Sequence, residues 1–83
     1  MTQNRMKFVL NALDAELSHM EVACLTLAAN GYRPHEISVE LDTSEIDVEN
    51  LFSHAERKLG AKNRLHAIGI AVSQGLIGID CKK

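Results

Sequence analysis

Between Ser44 and Gly60 the apolar residues Val48, Leu51, Phe52, Ala55 and Leu59 recur in steps of three, one, three and four residues, the spacing of an α-helix with one buried stripe. Both ends of that helix are written into the chain. Ser44 can cap it by accepting from the Asp47 N–H, Asp47 puts a carboxylate in the first turn, and Arg57 and Lys58 occupy the last turn, where the helix dipole favours cations. Gly60 then supplies the left-handed conformation that closes a helix. The orientation of the helix follows from the stripe. At about 100° per residue, Ile46, Asn50, Ser53 and Arg57 point away from the core, with Glu49 and His54 on the flanks.

Shorter helices are predicted on both sides. Ser18 with Glu21 three residues on forms a capping box that opens a helix over 18–30, stopped by Asn30-Gly31, with Leu17, Met20, Cys24, Leu27 and Ala28 facing the core. Pro34 fits the first position of a short helix over 34–41 that buries Ile37 and Leu41, and Asp42-Thr43 is the turn into the helix over 44–59. Asn63 caps a last helix over 63–74 that stops at Gly75. Met6, Val9, Leu10 and Leu13 also have helical spacing, which predicts an extra N-terminal helix at about 5–15. The expected fold is all-α: a bundle of four helices at 17–77, a helical extension at 1–16 and a tail at 78–83. A short helix, a tight turn and a longer helix with a polar outer face make up the layout of a helix-turn-helix, which presents its second helix to the DNA major groove.

Eighty-three residues, 46% of them hydrophobic, make one small domain with a limited core. No apolar run approaches the roughly 18 residues of a membrane span, and the N-terminus does not read as a signal peptide, so a cytoplasmic location and no membrane partner are expected. Cys24 and Cys81 have no metal-ligand spacing, and His19, His35, His54 and His66 do not share a face, so neither metal nor cofactor is expected. Nothing resembles a Gly-rich phosphate loop, a nucleophile elbow or a paired-carboxylate pocket, which argues against an enzyme. The net charge is −2, unfavourable for nucleic acid, where phosphate contacts supply most of the sequence-independent affinity. From Pro34 to Glu56 the chain has Glu36, Glu40, Asp42, Glu45, Asp47, Glu49 and Glu56 and no Lys or Arg. Phosphate contacts must therefore come from Arg33, from the cluster of Arg57, Lys58, Lys62 and Arg64, and from the termini.

The order of residues resembles the C-terminal DNA-binding domain of the LuxR/GerE family of bacterial transcriptional regulators, over about residues 17 to 77. The matching positions are Leu17-Ser18 with Glu21, Leu27 with Ala29 and Gly31, Glu36-Ile37, Leu41 with Ser44, Val48, Lys58-Leu59-Gly60 and Asn63-Arg64. Sigma-factor region 4 shares the middle of this pattern, but the final helix and the Gly75-Leu76-Ile77 ending are similar to LuxR/GerE. The resemblance implies a domain whose third helix enters the major groove and whose fourth makes the dimer, in a stand-alone, GerE-like regulator without a receiver or autoinducer domain. It implies base reading by Ile46, Glu49, Asn50 and Ser53, with Asn50 suited to adenine, Glu49 to cytosine N4 and Ile46 to a thymine methyl. It also implies backbone contacts from Arg33, His35, Ser44, His54, Arg57, Lys58 and Lys62, with Glu36 in an internal pair with Arg64 or a neighbour. Three family positions are altered: Asp47 stands where Thr is usual, Glu49 where a basic residue is common, and Leu51 where His is usual. Asp47 cannot donate to a phosphate.

The helix over 63–74 carries more apolar residues than one stripe needs. Leu65, Ile68 and Val72 fit one face and Ala67, Ile70 and Ala71 another, while Gly69 allows close approach. The expected two-fold interface uses Leu65, Ile68, Gly69, Ile70 and Val72. Two functions fit these residues. One is a transcriptional regulator that binds a two-fold site on double-stranded DNA as a homodimer. The alternative is an interaction module that pairs with a full-length LuxR-type regulator as a heterodimer and antagonises it, with weak or no DNA binding of its own.

Overall fold

A computed structural model of the chain describes residues 16–79. They form four helices: α1 (His19–Ala29), α2 (Pro34–Glu40), α3 (Glu45–Leu59) and α4 (Arg64–Ser73). The helix expected at 5–15 and the tail from Asp80 lie outside the described residues.

The local signals act as the sequence requires. Ser18 Oγ accepts from the Glu21 N–H at 3.1 Å while Glu21 Oε1 accepts from the Ser18 N–H at 2.9 Å, which satisfies two of the donors a helix start leaves unpaired. Ser44 and Asn63 cap α3 and α4 by accepting from the N–H groups of Asp47 and His66 at 3.0 and 2.8 Å. Gly60 takes φ 67° at the end of α3. In the turn between α2 and α3, Asp42 adopts φ 55°, a left-handed conformation that Asp tolerates better than most residues.

Helix α3 is the centre of the bundle and packs on the other three. The core comprises Cys24 and Leu25 from α1, Ile37 from α2, Val48, Phe52 and Ala55 from α3, Ala67 and Ala71 from α4, and Ile77 beyond it. Leu51 and Leu59 border this core, so the stripe read from the sequence is the buried face of α3. The expectation for α1 needs correction. Met20 is 41% exposed, and Leu25, which was not assigned to the core, is fully buried. Helix α1 is apolar around most of its circumference, so periodicity alone does not select its inner face. Helix α4 turns Ala67 and Ala71 fully inward, seats Ile68 and Val72 at the core edge and leaves Leu65 78% exposed.

One charged group lies inside this apolar contact. The Glu21 side chain is only 4% exposed, and Lys58 Nζ lies 2.9 Å from its Oε1; His54 Nδ1 is 4.0 Å from Oε2. Lys58 also donates to the Glu16 carbonyl at 3.4 Å. Burial alone raises the Glu21 pKa, but the Ser18 backbone N–H and the hydrogen bond and charge of Lys58 outweigh it, and the net displacement is downward. The pair joins the start of α1 to the end of α3.

Lys58→Met strands that carboxylate. It should cost about 2–3 kcal/mol in denaturant unfolding at neutral pH, below the roughly 3–5 kcal/mol of a fully buried pair, because the Lys58 side chain is 29% exposed. With its folded pKa depressed, Glu21 contributes stability that is complete above the ordinary glutamate value of about 4.3 and is lost as pH falls through the lower folded value. Wild type should therefore lose stability more steeply in acid than Glu21→Gln. A Lys58→Met protein as stable as wild type, or parallel acid profiles, would remove the pair from the account.

Candidate nucleic-acid interface

Burial of Val48, Phe52 and Ala55 leaves the other side of α3 outward. Ile46 is 73% exposed, and Asn50, Ser53 and Arg57 are exposed with it. Among the described residues none of these four side chains makes a hydrogen bond or ion pair to the rest of the chain. Asn50 also borders a shallow groove of about 360 Å³ between α1 and α3, shared with Met20, Thr43, Asp47, Leu51 and His54. Met20 is not foreseen there, since nothing in the sequence brings the start of α1 alongside this part of α3.

The acids around this face are engaged within the chain. Thr43 Oγ1 donates to Asp47 Oδ2 at 2.6 Å, and the Thr43 and Ser44 hydrogen bonds hold the exposed Asp47 carboxyl below the usual range. Asp47 is thus an anion that stiffens the turn before α3. His35 Nδ1 meets Glu45 Oε2 at 3.0 Å. Glu49 Oε1 accepts from the Arg64 guanidinium at 2.5 Å, and that guanidinium lies over the Phe52 ring, 3.8 Å from its centroid. Of the two partners expected for Glu36, the structure shows the neighbour: Glu36 accepts from the Arg33 N–H at 2.8 Å, while Arg64 serves Glu49.

The cations divide into two groups. Lys58 and Arg64 are drawn into pairs with Glu21 and Glu49: the buried Glu21 carboxylate requires a counter-charge, and Arg64, stacked on Phe52, reaches the exposed Glu49. Arg33, Arg57 and Lys62 are exposed, and their side chains make no ion pair among the described residues. His54 keeps a 52% exposed side chain at its 4.0 Å approach to Glu21, and that of His35 is 74% exposed despite its bond to Glu45. Ser44 Oγ is occupied as an acceptor by the helix cap. Spacing of three or four residues could have revealed the Thr43–Asp47 contact, whereas the Lys58 and Arg64 contacts span 37 and 15 residues and leave no local signal.

A short helix, a four-residue turn and a longer helix whose outer face is polar and unengaged constitute a helix-turn-helix. Residues 15–71 match the GerE pattern, that of bacterial regulatory proteins of the luxR family. The chain belongs to the LuxR family. Its fold superimposes on "Structure of Transcription factor, GerE" with a TM-score of 0.72 and 31% sequence identity, covering 75% of this chain and 92% of that one. It is 46% identical over 63 residues to "Transcriptional activator protein VanR" of Vibrio anguillarum and 39% identical over 67 residues to "Response regulator RamR" of Streptomyces coelicolor. These matches take in 76% and 81% of the chain but only 26% and 33% of the two relatives. The described residues are a LuxR-type helix-turn-helix, the DNA-binding module of a regulatory and non-enzymatic family. No helix among them is long and apolar enough to cross a membrane.

In this LuxR-family domain Asp47 is a fixed negative charge at the start of the helix expected to meet DNA. Asp47→Thr should strengthen binding to duplexes of any sequence to a similar extent, by about five-fold, the scale of one unit charge facing another across water. Fluorescence anisotropy on mixed-sequence DNA reads the change. Equal affinities would place Asp47 away from the phosphates.

Proposed function

We propose that the chain is a transcriptional regulator that binds double-stranded DNA, lays α3 in the major groove and pairs with a second copy through the outer face of α4. The observation that carries this reading is the division of α3. One side is buried, and the other offers Ile46, Asn50, Ser53 and Arg57 to solvent with no hydrogen bond or ion pair from their side chains among the described residues. The Asn50 amide suits adenine, and Ile46 suits a thymine methyl. Arg57, Arg33 and Lys62 supply phosphate contacts, joined by His35 and Ser44 near the starts of α2 and α3 and by His54 on the flank. Lys58 is left out of that set because Glu21 holds it. The relatives are named as a transcriptional activator and a response regulator, and this supports the reading. A regulator of this kind acts in the bacterial cytoplasm.

The exposed stripe of α4 supports the dimer. Leu65 and Gly69 are exposed and Val72 is half-buried, at helical spacing along one side, and Leu76, 43% exposed, follows beyond the end of the helix. Ile68 flanks this stripe from the core edge. Ile70 lies about 140° from Leu65 around the helix, is half-buried, and extends the proposed interface on the other flank of α4. A two-fold contact of this kind matches a two-fold DNA site. One observation favours the heterodimer reading: the net charge is −2, and a domain of that charge gains little from phosphate neutralisation. That reading uses the same α4 stripe toward a full-length LuxR-type regulator.

Binding should be weak at physiological salt and weakly salt-dependent. Arg57→Ala should lower affinity for all sequences and reduce the salt slope by about one, whereas Asn50→Ala should narrow the gap between a selected site and random DNA by about 1–3 kcal/mol. Equal binding by wild type and both variants would take this face out of the interface. Leu65→Glu should give a folded monomer in sedimentation with much weaker binding to a two-fold site. A wild type that is monomeric at high concentration, both free and on DNA, would rule out the homodimer and favour the heterodimer.

A further inference from the structure

Arg64 lies outside the outward face of α3, at the first position of α4, and nothing in the reading above gives it a role. Its environment is specific. The guanidinium stacks on Phe52, which is 1% exposed and belongs to the core, and it donates to Glu49 Oε1. Among the described residues its Nε is buried without a hydrogen-bond partner, a cost that a surface ion pair of ordinary value does not offset. The Glu49 side chain remains 53% exposed, and among the described residues its second oxygen, Oε2, accepts no hydrogen bond. One carboxylate oxygen is therefore anchored through Arg64 to the core, and the other is presented on the flank of α3, one position before Asn50.

We infer that Arg64 is a positioning residue for base recognition: seated on Phe52, it fixes the Glu49 carboxylate so that Oε2 accepts from the N4 amino group of a cytosine in the major groove. This rests on α3 entering that groove, as proposed above. A free glutamate samples several rotamers and is repelled by nearby phosphates. A glutamate tied to a guanidinium that is itself stacked on a buried ring has one geometry, and the pair carries no net charge into the groove. A carboxylate accepts only, so it selects the amino edge of cytosine over the O6 and N7 acceptors of guanine. The common basic residue at this position has the opposite preference. The Glu49–Arg64 pair thus sets base identity at one place in each half-site without Arg64 touching DNA.

The test is selection from a duplex library with a randomised core by the whole chain, followed by affinity measurements on every single-base variant of the selected site. Wild type should prefer C·G at one position per half-site by about ten-fold. Glu49→Gln, which keeps the size of the side chain, should lose that preference and leave those at other positions intact. Arg64→Gln should lose it as well, Arg64→Lys should recover part of it, and the double variant Glu49→Gln/Arg64→Gln should be no worse at that position than either single one. Circular dichroism establishes that each variant is folded, and if Arg64→Gln is not, the Glu49→Gln and Arg64→Lys profiles decide. Arg64 variants that weaken all sites uniformly while the cytosine preference persists would overturn the inference and leave α3 as the reading helix. A wild type that enriches no sequence and binds no duplex would overturn the DNA reading itself, and this inference with it.

Discussion

Phe52 is where the core and the candidate interface meet. Its ring, 1% exposed, is the largest fully buried side chain of the domain and sits on the helix that packs against all the others. Burying it fixes the rotation of α3 about its own axis, because a helix that turns this ring inward has no freedom left in which residues it turns outward. Ile46, Asn50, Ser53 and Arg57 are outward for that reason and need no contacts of their own to be held there. The ring also receives the Arg64 guanidinium, 3.8 Å from its centroid, in a cation–π contact that gains strength from partial desolvation. The packing that stabilises the fold and the geometry of the polar face are therefore set by the same side chain.

The electrostatics of the domain look different at the two scales. Summed over the chain, the charge is −2, and the helix-turn-helix segment is acidic from Pro34 to Glu56, which suits a DNA-binding surface poorly. Resolved into contacts, Glu21 is paired with Lys58 and Glu49 with Arg64, while Glu45 and Asp47 are hydrogen-bonded to His35 and Thr43. These acids are built into turns and bridges that shape the surface, and among the described residues Arg33, Arg57 and Lys62 are the exposed cations outside any ion pair. The same pairing removes Lys58 from the cationic set, which leaves a surface better suited to reading bases than to gripping backbone.

What was legible in the sequence was local. Ser18 with Glu21, Ser44, Gly60 and Asn63 mark helix ends by interactions within three or four residues, and the four helices begin and end where those residues put them. The inner face of α3 was equally legible because its apolar residues form a single stripe. Helix α1 was not, since its apolar residues surround it, and Met20 and Leu25 exchange the roles expected of them. In α4 two apolar stripes competed, and only packing against α3 selected Ala67 and Ala71 for the inside. The partners of Lys58 and Arg64 are contributed by distant segments, so residues that read as a phosphate-facing cluster proved to be divided between the core edge and the surface.

The central claim is that the outward face of α3 is the surface that meets DNA. Two-dimensional NMR of the isotope-labelled chain, titrated with a duplex selected from a random pool, tests it most directly. The expected result is that the largest shift changes fall on the Asn50 side-chain amide, the Arg57 guanidinium and the backbone amides of Ile46, Asn50 and Ser53, while those of Leu25, Ala67 and Ala71 stay in place. Changes confined to α4 and the residues after it, or none at saturating duplex, would contradict the claim.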